Sequence, residues 1–191
     1  MTRKYGTWML FMLLALPVCF GQGQKDQKKK PEAYSAIATA TGGVAGGEML
    51  PFNFAIDEYT SDTDLMKFAA MLKERGPDAL LNALEKENKG RIYPDTGTGN
   101  DIAIARKRKD GANTVVTIVT ARLMPFLERY RSGRSKDYPY GFLQVTLNEA
   151  GKGTGSILVA ASIKFNKKAD HYEIESYGNQ YIKVVNVRLQ K

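Results

Sequence analysis

The residues best suited to hold a ligand gather in one stretch, where Arg122, Arg129, Arg131, Arg134 and Lys136 are interleaved with Phe126, Tyr130, Tyr138 and Tyr140. Cations set among aromatic rings suit a sugar, a phosphorylated group or a single-stranded nucleic acid, because the cation supplies charge and the ring a flat stacking face. Ser132-Gly133 and Pro139 mark the stretch as a loop, the kind of segment on which a rigid scaffold carries its binding residues. Arg122, Arg129, Tyr130, Arg131, Arg134, Tyr138 and Tyr140 are therefore the candidate ligand-binding residues. The competing reading is a solvated connection whose tyrosines pack over the mouth of a barrel.

Other constellations carry less chemistry. His171 is the sole histidine, so the usual nitrogen and sulfur ligands for zinc or copper cannot be assembled, nor can a Ser-His-Asp or Cys-His arrangement built on any other histidine. Flanked by Asp170 and Tyr172 at a loop-to-strand junction, it reads as a surface residue. Asp57-Glu58 and Asp62-Thr63-Asp64 form the densest acidic patch. Such oxygens suit calcium, yet no glycine-containing loop with a distal glutamate follows. Asp62 and Asp64 at a helix start instead meet the positive end of its dipole. Asp57, Glu58 and Asp62 are also where a carboxylate-based hydrolase would have to rest. Gly151-Lys152-Gly153-Thr154-Gly155-Ser156 has the composition of a phosphate loop, but its spacing is wrong and a strand follows it instead of a helix. It reads as a flexible hairpin connection. No cofactor and no metal site emerges.

The chain that carries these residues opens with an export signal. Arg3 and Lys4 precede the apolar run Trp8 to Leu16, which ends at Pro17, the order of a cleavable secretory leader. Cys19 and Gly21 are small residues placed for cleavage before Gln22. The run is shorter than the roughly 20 apolar residues of a spanning helix, so no transmembrane segment is expected after cleavage. Leu16-Pro17-Val18-Cys19 also loosely resembles a lipoprotein box, which makes lipid attachment at Cys19 the alternative. Cys19 is the only cysteine, so a protein cut before Gln22 is disulfide-free even in an oxidising compartment. Loss of Arg3 and Lys4 takes Lys plus Arg from 28 to 26 against 20 acids, a net charge of +6. That charge favours anionic lipid, polysaccharide or nucleic acid without sequence specificity.

Residues 22–33 read as a disordered charged leader containing Lys28-Lys29-Lys30, and 34–191 as one strand-rich domain. A weak edge strand is expected from Ser35 to Thr41. Phe52, Phe54 and Ile56 give a first secure strand from about Leu50 to Tyr59. Leu65, Phe68, Ala69 and Leu72 then follow helical spacing, with Ser61 and Asp64 as a capping pair. Gly76 stops this helix, Pro77 starts a second with Leu80, Leu81 and Leu84 on its apolar side, and Gly90 closes it. The helical pair so covers about 62–89. Alternation returns afterwards: Ile102 and Ile104, Val115 to Val119, Leu143 to Leu147, Ile157 to Phe165 on one face, Tyr172 and Ile174, and Val185, Val187 and Leu189. Short turns between them predict an α+β fold, an antiparallel meander of about seven or eight strands closed as a barrel or folded as a sandwich.

From about Leu50 onward the chain resembles a family of signal-bearing exported bacterial proteins with no known activity. The resemblance is carried by Tyr59-Thr60-Ser61-Asp62, Gly76-Pro77-Asp78-Ala79-Leu80-Leu81, Lys136-Asp137-Tyr138-Pro139, Gly151-Lys152-Gly153, Tyr177-Gly178 and Asn186-Val187-Arg188-Leu189. It implies this order of strands and helices and no catalytic residue. The residues thus lead to an exported, periplasmic or secreted, non-enzymatic binding module for an anionic or amphiphilic ligand or an envelope component, with no specific nucleic acid. The alternatives are the carboxylate hydrolase and a structural cell-envelope protein. Intact-mass analysis of the exported protein should show a chain beginning at Gln22; a lipid-modified start at Cys19 would establish the anchor instead.

Overall fold

The computed structural model describes residues 30–39, 49–121, 137–177 and 181–190. The chain runs β1 (Glu32–Thr39), β2 (Met49–Ile56), α1 (Asp62–Arg75), α2 (Pro77–Leu84), β3 (Gly90–Pro94), β4 (Asn100–Asp101), β5 (Ile104–Asp110), β6 (Asn113–Thr120), β7 (Tyr140–Leu147), β8 (Lys152–Asn166), β9 (His171–Ser176) and β10 (Ile182–Gln190). These strands form one antiparallel sheet in the order β4-β3-β2-β1-β10-β8-β7-β6-β5, with β9 paired to the far half of β8. The sheet curls into a half-barrel. The α+β antiparallel meander is thus present, with ten strands where seven or eight were expected. The two that escaped notice are β3, whose Gly-Arg-Ile-Tyr-Pro ends in proline, and β4, only two residues long.

The alternation of β2 works as its pattern requires. Phe52, Phe54 and Ile56 turn to the concave side, where Tyr34, Ala36 and Ala38 of β1 meet them. Tyr34 stands opposite Phe54, and their rings stack at 4.6 Å between centroids. Ile92, Ile118, Leu143, Val145, Ile157, Val184 and Val187 complete a single core inside the curl. Each fully buried side chain of this size contributes about 1.5–3 kcal/mol. The strand expected weakly from Ser35 at an edge begins at Glu32 and lies inside the sheet, between β2 and β10. Alanines at 36 and 38 gave little apolar signal, although both are buried.

The helices begin as their caps dictate. The Asp64 backbone N–H donates to Ser61 Oγ at 3.1 Å, and Gly76, at φ +86°, separates α1 from α2. α2 stops at Leu84, before Gly90. Gly90 lies in β3 at φ +137°, and a β-carbon there would come within 2.1 Å of the Ala55 carbonyl oxygen, so close strand approach rather than helix termination explains it. Both helices pack on the convex side, with Leu72, Leu80 and Leu84 against Ala103, Val119, Ala121 and Tyr140, flanked by Phe142, Ile163 and Phe165.

Two bulges redirect side chains. On β8 the register shifts between the pairs Phe142 with Leu158 and Tyr140 with Ala161. Ile157 and Val159 therefore face the concave core while Ile163 and Phe165 face the helices, splitting a set expected on one side. On β10, Asn186 at φ +53° lets Val184 and Val187 both turn inward. Val185 and Leu189, expected to share the face of Val187, do not join the core.

The glycines of β8 are strand residues, not a flexible connection. A β-carbon at Gly153 would stand 1.8 Å from the Thr146 carbonyl oxygen, and one at Gly155 would stand 2.2 Å from that of Gln144. Gly111, at φ +58°, has open space around it. Gly153→Ala should therefore destabilise by more than about 3 kcal/mol through backbone displacement, against about 1–2 kcal/mol for Gly111→Ala from the left-handed conformation alone. Chemical denaturation of the two variants measures that order.

Candidate functional site

The strand β5 carries four consecutive cations, Arg106, Lys107, Arg108 and Lys109. Alternation sends successive members of this run to opposite faces. Lys107 turns to the concave side, where its ammonium donates to Glu32 Oε2 at 2.9 Å and Oε1 at 3.1 Å. The same Oε2 accepts from the Tyr34 hydroxyl at 2.7 Å and the Tyr59 hydroxyl at 2.8 Å. Partial burial pushes the Glu32 carboxyl up, but the bonds from Lys107, Tyr34 and Tyr59 outweigh it and hold the group below its ordinary value of 4.5. Burial first, and the Glu32 bond second, push both phenols well above 10. All four groups are satisfied by one another. Perturbed clusters are often reactive sites, but here the shifts come from mutual pairing at the rim of a packed core.

Arg106 and Arg108 point the other way, to the convex face. The ladder registers place Arg106 beside Thr117, then Gln144, Ser156, Lys183 and Thr39 in one row across five further strands. A parallel row runs from Arg108 through Val115 and Thr146 to Thr154. A third joins Lys152 to Arg188 and Ser35. No carboxylate occupies these positions. Arg106 pairs with Asp62 at 3.1 Å across the border of α1. Arg108, Lys152, Lys183 and Arg188 have no carboxylate within 4 Å among the described residues. A shallow groove of about 320 Å³ is lined by Arg106, Arg108, Val115, Thr117 and Gln144. This arrangement offers guanidinium and ammonium charge with hydroxyl and amide groups between, which matches anionic oxygens chemically.

The residues expected to bind fall differently. Arg122, Arg129, Tyr130, Arg131 and Arg134 lie outside the described residues, as do Cys19 and the export signal. Tyr138 meets Tyr177 edge-on at 5.4 Å and is partly exposed. Tyr140 is a core residue instead of a ligand contact: it is 1% exposed beneath the helices. Its buried hydroxyl has no hydrogen-bond partner among the described residues. Burial, with smaller contributions from Asp78 and Glu85, pushes it up to about 12. Its parity with Phe142 on β7 was the overlooked signal. The basic rows were overlooked because their members lie far apart in sequence and meet only through pairing.

The remaining candidates are surface groups. His171 Nε2 lies 2.8 Å from Glu173 Oε1, and among the described residues no three metal-ligating side chains converge. Glu58 pairs with Lys89 at 3.1 Å and Asp62 with Arg106, while Asp64 takes part in the Ser61 cap and pairs with Lys67 at 3.0 Å. Asp57, Glu58 and Asp62 are all exposed. The patch is a helix cap and a set of ion pairs rather than a cleft. Among the described residues no helix is long and apolar enough to cross a membrane. No family model, no curated protein and no solved structure matches this chain.

The Glu32 cluster sets a pH dependence. A carboxyl held below 4.5 stabilises the fold above that value, and the contribution is lost as pH falls through the folded value. Phenols held above 10 cannot ionise in the fold while those of the unfolded chain can, so stability also declines above pH 10. Glu32→Gln should flatten the acid limb of a melting-temperature profile. Tyr59→Phe, which removes one bond to a charged acceptor, should cost about 1.5–3 kcal/mol at neutral pH; equal acid limbs in wild type and Glu32→Gln would refute the assignment.

Proposed function

We propose that the protein is an exported, non-enzymatic binding module, periplasmic or secreted, that holds an anionic polymer or surface against the convex face of β5, β6, β7, β8 and β10. The observation behind this reading is the set of cations Arg108, Lys152, Lys183 and Arg188, brought onto one face by strand pairing with no carboxylate at the ladder positions between them, Asp110 standing at the border two residues beyond Arg108. Solubility alone is met by interspersed charges of both signs, whereas a single-sign field raises the local concentration of an opposite charge. Rows of Thr117, Gln144, Thr146, Thr154 and Ser156 between the cations supply hydrogen-bond donors for sulfate, phosphate or carboxylate oxygens. The convex face with its shallow groove fits an extended ligand better than a small enclosed one.

Arg108→Glu together with Lys183→Glu tests the face directly. Binding to a sulfated polysaccharide should be salt-dependent and fall by at least about tenfold in this double variant, from the loss of two charge-assisted contacts. Exposed substitutions of this kind should change stability by less than about 0.5 kcal/mol each. An unchanged affinity, or binding that does not respond to salt, would overturn the reading.

A further inference from the structure

Among the described residues the free edges of the sheet are protected unequally. β4 has two residues, and β5 is guarded by its four cations. Short edges and edge cations are the ordinary devices against strand addition. β9 has neither. Among the described residues it pairs only with β8; it spans six residues, His171–Ser176, and contains no lysine, arginine or proline. It also exposes apolar side chains: Tyr172 is 46% and Ile174 55% accessible.

Those two side chains continue the helix-side core. Tyr172 stands opposite Phe165 and Ile174 opposite Ile163, both members of the cluster beneath the helices. The Tyr172 hydroxyl donates to the Ala69 carbonyl of α1 at 3.1 Å. One turn earlier on α1, Met66 is 65% exposed. Tyr172 and Ile174 thus form an apolar surface at the end of the sheet, bordered by a strand edge with no ladder partner among the described residues.

We propose that β9 pairs antiparallel with β9 of a second copy of this chain, with Glu173 at the two-fold axis. The sequence of the strand is complementary to itself in this register. Tyr172 falls opposite Ile174 of the second copy, twice, on the apolar face. His171 falls opposite Glu175 of the second copy, also twice, on the polar face. The single like-charge contact, Glu173 against itself, is softened because each Glu173 already meets His171 Nε2 and accepts from Asn166 Nδ2, both at 2.8 Å. Moving the two-fold axis to Ile174, a relative slip of two residues, would put Glu173 opposite Glu175 twice and lose both Tyr-Ile pairs. Cross-strand apolar and opposite-charge pairs favour the first register over the second. The partner is therefore this chain rather than an unrelated peptide. Two extended sheets so joined present their basic faces within one dimer.

One strand pair and two apolar side chains from each copy bury less than the roughly 1,600 Å² of a standard interface, so the dimer should be weak and concentration-dependent, with a dissociation constant on the order of micromolar or above. Sedimentation velocity on the purified protein, up to about 1 mM, reads it out at that affinity scale. Ile174→Lys places an edge cation at the interface and should leave only monomer without lowering the melting temperature. A cross-link fixes the register independently. In a Cys19→Ser background, Glu173→Cys should form a covalent dimer under air oxidation, because directly opposed residues have α-carbons about 4.5–5.5 Å apart, within disulfide reach. Glu175→Cys, which faces residue 171, should not. A monomer at every concentration, a dimer indifferent to Ile174→Lys, or a cross-link at 175 in place of 173 would each overturn the proposal.

Discussion

A single curled sheet has two ends that ladder hydrogen bonds do not join, and the fold depends on how they are tied. Among the described residues, β4 and β5 share no ladder. Instead the segment between them reaches both ways: Ile102 exchanges bonds with Lys89 and Gly90 at 2.7 and 2.9 Å, and Ala103 donates to Val119 at 2.9 Å. Two residues further on, Ala105 and Thr60 bond each other in both directions, at 2.8 and 3.1 Å. Two residues beyond that, Lys107 crosses to Glu32. The seam is thus closed at 102–103, 105 and 107 by backbone, then hydroxyl, then ion pair, each more solvated than the last. Without these ties Ile102 and Ala105, both fully buried in the concave core, would face water.

The same curl explains why the bulges sit on β8 and β10. β8 has 15 residues: along one edge it pairs β7 as far as Ala161, and along the other it pairs first β10 and then β9. A strand this long in a curled sheet must bend, and an extra residue opposite Gly141 is how it bends. The consequence is chemical as well as geometric. Beyond the bulge, Ile163 and Phe165 exchange the concave core for the helical layer, which gives α1 and α2 an apolar bed. At Asn186 the second bulge keeps two valines inside while leaving Arg188 on the convex face beside Lys152.

This is also where the sequence ceased to be legible. Period-two and period-3.6 patterns are local, so β2, α1 with its Ser61 cap, and the Gly76-Pro77 break could be read from neighbouring residues. A bulge reverses parity without changing composition, and the run Ile157 to Phe165 looks uniformly one-sided for that reason. β1 was underestimated because alanine signals burial weakly, although Tyr34 anchors the seam cluster. The basic face was invisible for a different reason. Its cations come from positions 106, 108, 152, 183 and 188, and only the antiparallel registers bring them together. The cations of 122–136, by contrast, are neighbours in the chain and form a visible cluster without any strand pairing.

The convex face must be polar where the helices do not cover it, but the sign of its charge follows from no packing requirement. α1 has 14 residues and so extends about 21 Å, and with α2 it shields Ile104, Val119 and Phe142 while stopping short of Arg106, Thr117 and Gln144. The Asp62 carboxylate at the start of α1 meets Arg106 at that border, which neutralises the one cation nearest the helix. Beyond it, threonine, serine and glutamine alone would satisfy solvation. Four further cations held on a stiff ladder repel one another and are screened only by salt, over about 8–10 Å at ordinary ionic strength. That is an electrostatic disadvantage to the folded chain alone, and it becomes an advantage when an anion lies across the rows.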